Sequence, residues 1–162
     1  MLLAILRYFM STLRHKWFVL YAGVTIVGKI PIWRLIIHDL SKFNPIEFWN
    51  YAIYYQIEKE GNEDRFLAAW MHHQKRNKHH PEYWTTVGIF DWSTGAIDMP
   101  ATQVREWVAD LLGASKEYTG SYDMTDWLKT NKSRYIYCTT ETLRRFVGVL
   151  AEIGYADLGA IE

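Results

Sequence analysis

Four of the six histidines in the chain fall within nine consecutive residues, as His72-His73 and His79-His80, and the other two are His15 and His38. Asp39 follows His38 directly. Core-forming residues bracket the cluster: Phe66-Leu67-Ala68-Ala69-Trp70-Met71 before it and Tyr83-Trp84 after it. His38-Asp39 likewise follows the apolar run Leu35-Ile36-Ile37. A buried carboxylate is strongly unfavourable unless it is paired or coordinated. Imidazole and carboxylate are also the usual ligands of zinc, iron, manganese and nickel. A fold for this chain must therefore either gather these side chains around ions or leave them as a solvated patch with Lys75, Arg76 and Lys78. The apolar brackets argue for gathering.

Other classes fall away on composition. At 162 residues, 49% of them apolar and 22% charged, the chain is ordinary for one globular domain. Aromatic residues reach 16%, a density that a core absorbs first. With 18 basic and 18 acidic residues there is no basic excess for a long nucleic-acid groove. One cysteine, Cys138, excludes an intrachain disulfide framework and a multi-cysteine zinc site, and it suits a reducing compartment. Arg7 interrupts the apolar N-terminus and no small-residue cleavage site follows, so a signal peptide is not expected. The one candidate span, Trp17 to Ile37, contains Lys29, Pro31 and Arg34. A charge at the centre of a span costs about 2.5 kcal/mol or more. The expectation is a cytoplasmic protein without a membrane partner, and a homodimer is compatible with it.

Helical periodicity recurs along the chain. Leu2 to Ala22 reads as a first helix, with Leu2, Ile5, Leu6, Phe9, Leu13, Trp17 and Leu20 as an apolar stripe and His15 at its edge. Pro31 fits the start of a second helix, Ile32 to Leu40, which ends at the break Ser41-Lys42-Phe43-Asn44-Pro45. Neighbours on a regular helix point about 100° apart. His38 and Asp39 can thus approach one centre only if the helix ends or distorts there. A third helix spans Pro45 to Glu60 and a fourth Glu63 to about His80. Seven residues separate His72 from His79 and His73 from His80, about 10.5 Å along a continuous helix. That is too far for one ion unless the helix breaks, but it is compatible with two ions about 3.5–4 Å apart. Glu82 to Pro100 reads as a loop able to cover a site. Further helices are expected over Pro100 to Leu112, ended by Gly113, over Asp123 to Lys132, and over Thr140 to Gly154, with an uninformative tail from Tyr155. No strand pattern stands out. The fold class is all-α, a single-domain helical bundle.

The ordered set His15, His38-Asp39, His73, His79-His80 and Asp110 resembles the pattern of the HD-domain superfamily. The segments His38-Asp39-Leu40-Ser41-Lys42-Phe43, His73-x-x-x-Asn77-x-His79-His80-x-x-Tyr83-Trp84 and Val104-Arg105-Glu106-x-Val108-Ala109-Asp110 more closely resemble an uncharacterised family of small phage and bacterial proteins with HD-like character. The resemblance covers roughly residues 10 to 150. It implies an HD-like bundle holding one or two divalent transition metal ions, of Mn, Zn, Ni, Co or Fe. His15, His38, Asp39 and Asp110 would hold the first ion; His73 with His79 or His80 would complete a second site, with Asp39 as a bridge.

The reaction implied is hydrolysis of a phosphate ester, such as a nucleotide, by a metal-activated water. Asp39, Lys42 and His80 are the candidate catalytic residues. Lys42, Arg76 and Asn77 are the candidates for holding the small-molecule phosphate substrate, Asn77 having as its other role the capping of a break in the fourth helix. Trp84 and Trp92 can stack on a base or simply pack. Two other readings use the same scaffold: a di-iron oxygenase, and a non-enzymatic phage-type module that binds another protein. Cys138 has no histidine near it in sequence, and no glycine-rich phosphate loop is present.

Overall fold

A computed structural model describes residues 1–87, 94–131 and 138–155. The architecture is all-α. Helices α1 (Leu2–Ala22), α2 (Ile32–Ile37), α3 (Pro45–Gln56), α4 (Glu63–Gln74), α5 (Ala101–Thr119), α6 (Thr125–Thr130) and α7 (Thr140–Glu152) follow one another, with two short antiparallel strands, β1 (Thr85–Val87) and β2 (Thr94–Ala96), between α4 and α5. Helix α1 packs on α5 and α3, α3 on α4, and α5 on α7. No helix of the described residues is long and apolar enough to cross a membrane.

Local chemistry accounts for several boundaries. Asn44 caps α3 by accepting from the Ile46 amide at 3.0 Å, with Pro45 in the first turn. Thr139 caps α7 through the Thr142 amide. Beyond Ala22 the first helix continues as one π-helical turn, Gly23–Val27, where Gly23 lets Leu35 approach: an added Cβ would lie 2.5 Å from a Leu35 methyl.

Six sequence expectations need correction. The α4 helix ends at Gln74 rather than near His80, α2 ends at Ile37 and α3 at Gln56. Gly113 does not end α5; it sits inside that helix where α1 crosses, and a Cβ there would meet Val19 Cγ2 at 2.5 Å and the Val19 backbone nitrogen at 3.0 Å. The stretch 82–100 is not all loop, since 85–87 pairs with 94–96; the expected cover at 88–93, including Trp92, and the tail from 156 lie outside the described residues. Most consequentially, the apolar stripe of α1 is not its buried face. Leu2, Leu6 and Trp17 are exposed, whereas Ala4, Tyr8, Thr12, His15, Val19 and Ala22 are buried. The helix turns its small and polar side inward.

Two apolar clusters result. The larger joins Val19, Ala22 and Leu35 to Val104, Val108 and Leu112 of α5 and Phe146 and Leu150 of α7, with Trp107 stacked on Phe146 at 4.2 Å. The smaller joins Tyr8, Tyr51, Ala52 and Ala69. His15 lies on α1 between the parts of that helix that serve each cluster, so the polar site occupies the seam between them.

Candidate metal centre

Four segments deliver the ligand-type side chains, and each does so through a local departure from regular structure or a helical repeat. Helix α2 stops at Ile37; His38 is extended (φ −48°, ψ 131°) and Asp39 is left-handed (φ 54°, ψ 24°). Aspartate is among the few non-glycine residues that tolerate this region. The two successive turns bring both side chains inward, as a continuous helix cannot. Lys16 on α1 holds the bend by donating its ammonium to the His38 carbonyl and, at 3.1 Å, to that of Ile36. After α4, the Arg76 and Asn77 amides both return to the His73 carbonyl at 3.1 Å, and the His80 amide bonds Asn77 O at 3.1 Å. This tight turn folds His79 and His80 back beside His73. On α5, Gln103, Glu106 and Asp110 recur at helical spacing on one face.

The result is two four-residue groups sharing one carboxylate: His15, His38, Asp39 and Asp110, and Asp39, His73, His79 and His80, the ligand atoms of each lying within 4.8 Å of one another. Asp39 Oδ1 is 3.4 Å from both His73 Nε2 and His79 Nε2, while its Oδ2 is 3.6 Å from His15 Nε2 and 3.5 Å from His38 Nε2. Asp110 Oδ1 closes the first group at 3.0 Å from His15 Nε2 and 3.4 Å from His38 Nε2. His73 and His80 face each other through their Nε2 atoms at 2.9 Å. Of the alternatives left open by sequence, His73 is in the centre and His72 is not, and both His79 and His80 are in it.

The fit to metal rests on polar atoms left without partners. Asp39 Oδ1 and the Nε2 atoms of His15, His38 and His79 are buried and make no hydrogen bond, although oppositely charged atoms stand close by. Buried polar groups are ordinarily satisfied. Three imidazole nitrogens around the Asp39 carboxylate, together with its own Oδ1, make a donor set that fits a metal ion. A carboxylate using one oxygen for each group has the arrangement of a bridging ligand.

Behind the ligands stand two glutamates to which the sequence alone gives no role. Glu106 Oε1 is 3.2 Å from His38 Nδ1 and 3.4 Å from His79 Nδ1, while its Oε2 receives Arg34 Nε at 2.9 Å and Nη2 at 2.6 Å. Glu47 Oε2 is 2.8 Å from His73 Nδ1 and accepts from Ser41 Oγ at 3.0 Å. Its other oxygen lies 2.6 Å from His72 Nδ1, and His72 Nε2 accepts from Arg76 Nε at 2.6 Å. A carboxylate on the far nitrogen orients the ring and fixes its tautomer. Glu106 carries a signal in sequence, four residues before Asp110 in an apolar helix. Glu47, in the first turn of α3, looks like an ordinary partner of the helix dipole.

Charge is balanced tightly. Burial alone would raise the Asp39 carboxyl, but His38, Lys42 and His73 hold it well below the usual range. Asp110, likewise opposed by burial, is held down by His15 and His38. Burial opposes a charge on His38, yet Asp39, Asp110 and Glu106 push it up to about 9. His80 goes the other way, lowered by burial and by the neighbouring His79 and His73. Lys42 Nζ reaches Asp39 Oδ2 at 2.6 Å.

The centre opens on a cavity of about 370 Å³, within the range of small-molecule sites. His15, Lys42, His73, His80 and Asp110 line it together with Tyr8, Tyr51, Tyr55, Trp70 and Trp127. Arg76 and Asn77, expected to hold substrate, line a different cavity, of about 430 Å³, with Arg34, His38, His79 and Glu106. Asn77 Nδ2 donates to Ser41 Oγ at 2.7 Å and to His73 O at 2.8 Å, which is the capping role. Trp84 donates to the Lys78 carbonyl and packs against the larger cluster.

Residues 4–151 match the model of a family of unknown function, DUF5662. The chain belongs to that family. No curated protein and no solved structure matches it. The DUF5662 match spans every residue of the centre, from His15 to Asp110.

Proposed function

We propose that this DUF5662 member is an HD-like, metal-dependent phosphohydrolase acting on a phosphate ester, such as a nucleotide. The observation that carries the reading is the pair of ligand groups sharing Asp39, of which His15, His73, His80 and Asp110 line a cavity that also presents Lys42. His15, His38, Asp39 and Asp110 would hold one ion; Asp39, His73, His79 and His80 would hold the other. Divalent ions bound there supply an activated water and polarise a phosphoryl oxygen.

The protein's own groups supply the rest. Lys42 keeps its charge, since burial is outweighed by Asp39 and Asp110, and it meets a phosphoryl oxygen as a fixed cation. Glu106 and Glu47 hold the ring nitrogens in register. His80 stays neutral at the cavity edge, with its Nε2 turned inward beside His73. Tyr51, Tyr55 and Trp70 form apolar walls that shed water around the reacting group and present aromatic faces to a flat leaving group.

One observation favours a second reading. Five imidazoles and two carboxylates across two sites form a nitrogen-rich set that also suits iron, and with iron the same scaffold serves as a di-iron oxygenase.

A single assay separates the two. Protein loaded with manganese, zinc, nickel, cobalt or iron is offered nucleoside monophosphates and p-nitrophenyl phosphate while phosphate release and oxygen uptake are followed. Metal-dependent phosphate release, reduced roughly 10²-fold or more by Lys42→Met, is expected. Full metal occupancy with oxygen uptake and no phosphate release would overturn the hydrolase.

A further inference from the structure

Tyr8 faces the cavity from α1 with a buried hydroxyl that makes no hydrogen bond of good geometry within the protein, although Thr12 and the Lys42 charge lie near enough to act on it. Its side chain is buried, 6% exposed, and its hydroxyl has no hydrogen-bond partner. The nearby hydroxyls of the same helix are committed. Ser11 Oγ donates to Glu117 at 2.9 Å, and Thr12 Oγ1 donates to the Tyr8 backbone carbonyl at 3.0 Å. The ring itself is fixed, edge-on to Phe48 at 5.3 Å and tilted against Tyr51 at 6.3 Å, so the hydroxyl cannot leave for solvent without breaking the smaller apolar cluster. A buried hydroxyl with no partner lowers stability, and proteins rarely keep one without a use.

From this geometry we infer that the Tyr8 hydroxyl is a binding group for the terminal phosphoryl group of a phosphomonoester held between the metal ligands and Lys42. The inference rests on the phosphohydrolase reading and names a contact and a substrate class within it. Tyr8 lies seven residues before His15, two turns along the same face of α1, so its ring enters the cavity from beside that ligand. Burial pushes the phenol above its ordinary range, and it therefore keeps its proton and acts as a donor. A monoester presents three non-bridging oxygens carrying up to two negative charges, so that one can face Lys42 while another faces the Tyr8 hydroxyl. Tyr8 donates to an oxygen turned toward α1. A diester substitutes one of those oxygens and has less to offer this donor.

The test uses the full chain loaded with metal, as wild type and as Tyr8→Phe, titrated with inorganic phosphate and melted with and without it. Equal metal content in the two proteins is expected, with a phosphate-free melting temperature in the variant that is unchanged or higher, because the substitution deletes only an unsatisfied hydroxyl. The dissociation constant for phosphate should rise roughly tenfold or more, the scale of one hydrogen bond to a charged group. A phosphate affinity equal to wild type overturns the inference, and so does a phosphate-free melting temperature lowered by several degrees, which assigns Tyr8 to packing. Wild type that takes up no metal instead overturns the hydrolase reading, a failure distinct from either of these.

Discussion

At Asp39 the backbone turns left-handed and the carboxylate sends one oxygen toward His73 and His79 and the other toward His15 and His38. A non-glycine residue held in this region stores about 1–3 kcal/mol, and it persists where the surroundings over-determine it. Here Lys16 and Lys42 pin the bend from both sides. Behind it, Glu106 bridges the Nδ1 atoms of His38 and His79, one from each candidate ligand group, and Arg34 holds its other oxygen. Glu106→Gln keeps the shape but removes the charge that orients both rings. It should weaken metal binding by about 10–100-fold in a chelator competition, with every proposed ligand intact. Unchanged affinity would show that the rings are oriented by packing alone. The residues of the candidate centre stand out in the sequence because imidazoles cluster between apolar runs and Asp39 follows one. Glu47 does not, because a glutamate in the first turn of a helix is by default a solvated side chain; Glu106 is marked only by its place four residues before Asp110 in an apolar helix, and the fold shows which rings it faces.

Elements are unevenly legible, for reasons of periodicity. The extent of α1 follows from sequence to the residue, since its helical period runs unbroken from Leu2 to Ala22. Its orientation does not. Periodicity finds the most apolar stripe, but the inward side is set by the cavity and by close approach of α5, which demand Tyr8, Thr12, His15, Val19 and Ala22. Trp17→Ser should therefore change unfolding free energy in denaturant by no more than about 0.5 kcal/mol, where a buried tryptophan would lose several. Gly113→Ala should act oppositely. Alanine is the better helix former by about 1 kcal/mol, yet its Cβ would press on the Val19 side chain and backbone nitrogen. A net loss of roughly 1–3 kcal/mol is expected; a gain would show that α1 and α5 separate easily. The end of α4 is hidden in the sequence because His79 and His80 prolong a polar pattern compatible with helix, while the turn is set by Asn77 closing on Ser41 and His73. The strands, of three residues each, are too short to show alternation.

For the molecule as a whole, the proposed metal sites would tie stability to metal and to pH with opposite signs. In the metal-free protein burial opposes a charge on His38, but Asp39 above all pushes it up to about 9; His15 and His79 are also raised, again against burial, by the carboxylates around them. A raised imidazole contributes stability that is fully present below its unfolded value, near 6.5, and is lost as pH rises through the folded one. Metal requires the same rings neutral, so its apparent affinity grows over that interval, up to about tenfold per pH unit for each proton displaced. The melting-temperature gain on adding metal should thus widen from about pH 6.5 to about pH 9, read by calorimetry at fixed free metal. A gain independent of pH would mean that these imidazoles are not ligands. All of this depends on Asp39 joining two sites. The most direct test is the metal content of untagged wild type and Asp39→Ala by elemental mass spectrometry, with metal offered during purification and folding checked by circular dichroism. The account predicts about two equivalents of a transition metal in wild type and loss of both in the variant. No metal in folded wild type, or full occupancy retained without Asp39, would contradict it.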